Sequence, residues 1–426
     1  MALVFEVVET FAGFAMTSPP TSSPPSAVPL VAPGAAPGAS VGVLPGWPVL
    51  RLGFRPFYLL TALLACVSVP LWVLMFAGVV PHALPLPGLL WHGHEMLFGF
   101  AAGVVMGFLL TAVRAWTGLD TARGPLLGVL ALLWLVPRLA VWVVPYPVFA
   151  AIDMVLLPVV ALVLLRVLLR AGNKRNVPLV GLLGLMALAN GAFHLSVLEV
   201  LAVSALSALY AQLGLIVMVV CVITGRVVPM FTKNVTPGLV IQPAPGLERA
   251  VLVATALALL LWVLGAPGWL AAPVSLVAAA LHAQRLWRWQ PQVTLTRPIL
   301  WVLHLSYVWL PVAFVLLALA QLGWLAPSLA VHAFGVGVMG GLIIGMVTRT
   351  ARGHTGRMLQ VGRAEVCAYV CVLLAAVVRV LLPALWPAAY VRALDVAALL
   401  WALGFALYLW VYTPWLLRTR LDGKDG

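Results

Sequence analysis

Twelve mostly apolar stretches recur along the chain, near 57–80, 91–113, 125–144, 148–171, 177–199, 204–225, 249–266, 268–287, 298–321, 328–348, 364–383 and 393–416. Short polar connections separate them. Each is close to the about 20 residues an α-helix needs to cross the hydrocarbon of a bilayer. In hydrocarbon every backbone polar group must be satisfied within its own segment, so such spans are helices. No alternating ten-residue pattern of the kind a membrane barrel needs is present. The pattern predicts an all-α polytopic membrane protein with twelve transmembrane helices in a membrane domain over 51–417. Residues 17–48 are rich in Pro, Ser, Ala and Gly, so 1–50 read as a disordered Pro-rich tail. Residues 418–426 form a second short tail. The opening MALVFEVVETFAGFAM carries Glu6 and Glu9 and no basic residue, which argues against a signal peptide.

Composition agrees: 64% of the 426 residues are hydrophobic and 8% are charged, against about 25% charged in a soluble domain. The lipid bilayer is therefore the expected solvent. The net charge of +13 would suit nucleic acid, but its placement does not. Arg51 and Arg55 precede helix 1; Arg114 and Arg123 flank loop 2–3; Arg166, Arg170, Lys174 and Arg175 bracket loop 4–5. Arg226, Lys233 and Arg249 lie around loop 6–7; Arg285, Arg288 and Arg297 around loop 8–9; Arg349, Arg352, Arg357 and Arg363 around loop 10–11; Arg418, Arg420 and Lys424 follow helix 12. All alternate to one face, which the positive-inside rule makes cytoplasmic, with both termini inside. Only Arg138, Arg379 and Arg392 fall near outer helix ends. Cys66, Cys221, Cys367 and Cys371 lie within predicted helices and form no CxxCH, which excludes covalent c-type haem attachment. Cys367 and Cys371 share a helix face, as soft-metal ligands or as small core residues.

Orientation converts position into depth for the eight histidines. His92 and His94, with Glu95, open helix 2 at its outer end in the stretch WHGHEMLFGF. His194 lies late in helix 5 and His332 opens helix 10, both toward the outer face. His304 and His354 lie toward the inner face. His82 and His282 read as interfacial residues. Ionisable groups at membrane depth are costly and usually functional, and neutral imidazole is the commonest ligand of transition metals and haem iron. The outer group therefore reads as a ligand set. Arg138, Arg379 and Arg392 are either partners for haem propionates or cations that reach toward lipid headgroups. Glu95 is an acceptor that orients a ligating imidazole, a proton relay, or a cap at the helix start. Asp153 and Glu199 lie at the same depth, whereas Asp120 and Glu365 sit inside among arginines as ion-paired caps.

Gly99, Gly103 and Gly107 leave one stripe of helix 2 without side chains. Such a stripe lets two helices approach closely; the other reading lays a flat porphyrin against it. A shift of 238 positions places His94 on His332, the three glycines on Gly337, Gly341 and Gly345, and Arg114 on Arg352. Helices 9–10 thus look like a copy of helices 1–2, and internal repeats are common in polytopic proteins. On that reading His94 and His332 face one another, as the two imidazoles of a six-coordinate haem would.

The segments FRPFYLL (54–60), WHGHEMLFGFAAGVVMGFLLTAVRAWTG (91–118), GRVVPMFTKN (225–234) and HAFGVGVMGGLIIGMVTRTARGHTGR (332–357) resemble the NnrS family over about 50–417. The resemblance implies a twelve-helix protein of the bacterial inner membrane that binds haem and copper and acts in nitric-oxide stress and denitrification. It places His92, His94 and Glu95 in the family's HxHE element and His354 in GHTGR. The expectation is a non-covalent b-type haem held by a pair from His94, His332, His194 and His92. Copper then sits with a leftover outer histidine and Glu95, or inside with His304 and His354. The cationic loop around His354 disfavours a metal and suits an anion or lipid phosphate. Nitric oxide is the expected ligand. No dinucleotide fingerprint or iron–sulfur pattern supplies electrons, so the donor is open. A transporter of a metal ion, haem or small anion is the competing reading, because twelve helices with internal repeats are frequent there. An assembly factor for other membrane enzymes is a third.

Overall fold

The computed structural model describes residues 46–81 and 84–425. The expected tail over 1–50 falls outside the described residues up to position 45, as does His82. Every regular element among the described residues is helical. In chain order they are α1 (Phe54–Phe76), α2 (Gly88–Thr117), α3 (Pro125–Ala140), α4 (Tyr146–Arg170), α5 (Lys174–Val197) and α6 (Ala205–Val235). There follow α7 (Pro245–Val263), α8 (Gly268–Arg288), α9 (Pro298–Gln321), α10 (Pro327–His354), α11 (Arg363–Leu385) and α12 (Pro387–Leu416). Ten of these are long and apolar enough to cross a membrane. The others are α3, which has 16 residues, and α8, whose last two turns carry His282, Gln284, Arg285 and Arg288.

Local chemistry explains the boundaries. Pro125, Pro245, Pro298 and Pro327 occupy first turns, where a missing N–H leaves no intrahelical bond unmade. Gly118, at φ 71°, closes α2 in the left-handed conformation that favours glycine. Helix α4 is broken at Met154 and Val155, directly after Asp153. Pro158 has no N–H for the Met154 carbonyl, and its ring crowds that turn. The break leaves Asp153 at the end of a short helical segment.

Helices α2 and α10 share an unusual course. Each passes into π-helical winding immediately after a histidine, over Glu95–Ala101 and over Ala333–Gly340. Such segments are rare and concentrate at functional sites. The glycine stripes settle their own question. A Cβ on Gly99, Gly103 or Gly107 would meet Leu64, Thr61 or Phe57 of α1, and one on Gly337, Gly341 or Gly345 would meet Trp309, Ser306 or Leu303 of α9. Each stripe therefore seats the preceding long helix, in the same register in both pairs, and leaves no flat space for a porphyrin. Gly103→Val should destabilise by about 1–3 kcal/mol through overpacking, read as a lower thermal midpoint in detergent. Gly181→Val, at a position open to its surroundings, is expected to leave the midpoint unchanged; equal losses in the two would refute this packing reading.

The basic end of the bundle is tied by arginines. Arg55, fully buried at the start of α1, donates to Leu416 O at 2.9 Å and Arg418 O at 2.8 Å. Asp120 pairs with Arg114 at 2.9 Å and Arg123 at 3.1 Å, and both arginines also reach Asp425. Glu365 accepts from Arg352 and Tyr412 and caps Gly362 N.

Candidate metal and cofactor site

Five buried polar side chains meet where α2 enters its π segment. His94 and Glu95 come from α2, Arg138 from the last turn of α3, Asp153 from the break in α4, and His194 from α5. His94 and His194 are wholly buried and Glu95 is 1% exposed. Their Nε2 atoms lie 3.3 and 3.2 Å from the same oxygen, Asp153 Oδ2. The opposite edge of each ring has a polar neighbour as well. Tyr146 OH lies 2.9 Å from His194 Nδ1, and Glu95 Oε1 lies 3.5 Å from His94 Nδ1. Asn190, one turn before His194 on α5, donates to Asp153 Oδ2 at 2.8 Å and places its Oδ1 3.2 Å from His94 Nε2. Arg138 bonds Asp153 Oδ1, and its Nε is 3.2 Å from Glu95 Oε2. Phe98, Phe149 and Phe193 pack around the two imidazoles.

This geometry suits a cation. One donor atom each from His94, Asp153 and His194 can be chosen so that all lie within 4.8 Å of one another. Two carboxylates, one guanidinium and two imidazoles share this buried region. Glu95 lies near two cationic or polar groups, yet neither of its oxygens makes a hydrogen bond, a rare state for a buried carboxylate. Both imidazoles present Nε2 beside a carboxylate, with Tyr146 on the Nδ1 of His194 and Glu95 3.5 Å from the Nδ1 of His94, an arrangement that resembles the outer support of a metal site.

A second histidine pair lies on another face of α2. The rings of His92 and His332 are 6.4 Å apart between centroids and inclined by 13°, and Trp72 stacks on His92 at 4.3 Å. His332 Nδ1 donates to Ser328 O at 2.7 Å, so its Nε2 carries the free lone pair. His92 Nδ1 is buried without a partner. Both rings line an apolar cavity of about 160 Å³, walled by Met96, Met339, Trp401 and Arg379. Arg379 is 4% exposed, and its Nη1 has no hydrogen-bond partner. The open volume holds a benzene-sized group, so a macrocycle enters only as the wall repacks. Met96 and Met339, unbranched and adaptable, are the side chains suited to that.

The pairing expected from the sequence is therefore corrected. His92 stands beside His332, and His94 turns to His194. Residues two apart project about 200° around a helix, onto opposite sides. The outer arginines separate too. Arg138 is engaged by Glu95 and Asp153, Arg379 faces the His92–His332 cavity, and Arg392 is exposed. Asp153 joins the cluster; Glu199 lies exposed beyond the end of α5. Toward the basic end, His304 Nε2 is 3.1 Å from Thr232 Oγ1, while His354 packs on Phe54 and lines a groove with Arg349 and Arg420. His282 is no interfacial residue. It is fully buried, 2.7 Å from Tyr307 OH and 2.8 Å from Thr255 Oγ1. Asn190 and Tyr146 escaped sequence reasoning, although Asn190 and His194 share an i, i+4 face.

The model of one protein family, NnrS protein, matches residues 48–420. The chain belongs to the NnrS family. No curated protein matches it. In this NnrS-family chain the match takes in all twelve helices described above, and with them both histidine pairs. The HxHE element divides between the two sites: His92 lines the cavity, and His94 and Glu95 belong to the buried cluster. The GRVVPMFTKN segment runs along the second half of α6, and GHTGR straddles the end of α10.

Proposed function

We propose that this NnrS-family protein crosses the bacterial inner membrane twelve times with both termini in the cytoplasm. It holds haem and copper in the outer half of the bundle and acts in tolerance of nitric oxide. The observation that carries this reading is the buried cluster of His94, Asp153 and His194, beside a separate cavity that offers two imidazoles. Two different ligand sets support two different groups. His94, His194 and Asp153 would hold copper, with Glu95, Tyr146 and Asn190 fixing their orientation. Imidazole suits copper as well as zinc and iron, so metal analysis decides the ion. His92 and His332 would hold a b-type haem, with Arg379 as partner for a propionate. Bound there, the haem would supply an iron able to bind nitric oxide, and the copper would supply one-electron chemistry. The chain itself orients the ligands, excludes water and supplies an apolar surround in which a small neutral gas dissolves. The common π segments and matching glycine registers support reading α1–α2 and α9–α10 as repeats.

The test is the absorption spectrum and metal content of the protein purified in detergent. A Soret band with near-stoichiometric iron and copper, shifted by added nitric oxide, is the expected result. A colourless, metal-free protein that still protects cells would end this reading and leave transport.

A further inference from the structure

At the end of α5 opposite His194, a cavity of about 860 Å³ opens between α5, α6, α7 and α8. Its charged lining is Arg175, Arg226, Lys233, Arg285 and Arg288, against Glu248 alone. Arg285 and Glu248 engage each other in a two-point ion pair, and the remaining Arg285 nitrogen donates to Cys221 O and Tyr307 OH. Gly225 makes room for this arrangement, since a Cβ there would overlap the guanidinium. Arg175, Lys233 and Arg288 then border one concave space, beside Arg226, which reaches Asn176 Oδ1 at 3.5 Å, and the lining offers no further carboxylate. Like charges gathered around a cleft focus a positive potential and attract an anion.

The backbone adds to the field. Helix α7 begins at this cavity, which Ala244, Pro245 and Leu247 line, and its N-cap Ala244 has no side chain that can cap the helix. Free N–H groups at a helix start form an anion site. The remaining wall carries the amides Asn173, Asn176, Asn234 and Gln242 and an apolar part in which Trp116 and Met230 are exposed at 37% and 46%. An anionic group joined to an apolar body matches both parts. We propose that this cavity binds a phosphate group presented by an acidic phospholipid. Basic pockets between membrane helices on the positive side recognise such headgroups. The site is independent of the haem and copper ligands.

Native mass spectrometry of the intact protein, delipidated and then exposed to phosphatidylglycerol or phosphatidylcholine, tests this. One phosphatidylglycerol should be retained per chain, and phosphatidylcholine should not. The triple variant Arg175→Gln, Lys233→Gln, Arg288→Gln should lower affinity on the order of 100-fold, at roughly fivefold per cation. The triple variant Arg166→Gln, Arg170→Gln, Arg297→Gln loses the same charge away from the cavity and should bind as the native chain does. It therefore controls for altered topology. Competition by inorganic phosphate at millimolar concentration would support the phosphate site and assign recognition to the headgroup. Equal retention of the two lipids, or equal losses in the two triple variants, would overturn the proposal.

Discussion

His332→Ala should abolish the Soret band of the purified protein while copper stays at its native level, and His194→Ala should do the reverse. The separation follows from the two faces of α2. His332 lines the cavity with His92, and its Nε2 lone pair is set free by the Nδ1 bond to Ser328 O. His194 is buried elsewhere, with Nε2 on Asp153 and Nδ1 on Tyr146. His94→Ala is the deciding variant. By repeat position it matches His332, yet by contact it belongs with His194 and Asp153. Loss of copper with haem retained supports the contacts. Loss of haem in His94→Ala, with full haem in His92→Ala, would show that the assignment is wrong. Tyr146→Phe leaves His194 in place but removes the group that orients it, and should weaken copper binding about 10–100-fold without affecting haem.

Asp153→Ala should both empty the metal cluster and destabilise the protein by about 3–5 kcal/mol, the usual result of breaking a buried ion pair. Asp153 is 7% exposed and accepts from Arg138, Asn190 and His194. Its removal leaves the Arg138 guanidinium with Glu95 alone. Thermal unfolding in detergent reads the loss of stability, and metal analysis reads occupancy. Asp153→Asn keeps the volume and two polar atoms, so it should fold better than the alanine variant while still losing metal. Native stability in Asp153→Ala, or native copper in both variants, would refute the central place given to this carboxylate.

The arginines show how far sequence reasoning reached. Their alternation between loops was legible because insertion reads charge locally, loop by loop. What each arginine touches was not. Arg138, Arg379 and Arg392 shared a depth and so the same two readings, yet one lies in an ion-paired cluster, one on a cavity and one in the open. The glycine stripes allowed two readings until their neighbours were known, because a missing side chain does not say what fills the space. His282 looked like a lone residue near a helix end because Tyr307 and Thr255 lie on other helices.

The sequence by itself determined the helices, their approximate limits, the basic end of the bundle and the group of candidate ligand residues. Those properties follow from local requirements: hydrocarbon demands that each segment satisfy its own backbone, and proline and glycine mark where it ends. Only the tertiary structure divided that group into partners. Which side of α2 meets α5 and which meets α10 depends on how helices distant in the chain pack. With His92 and His94 on opposite sides of one helix, that packing alone sets His92 beside His332 and His94 beside His194.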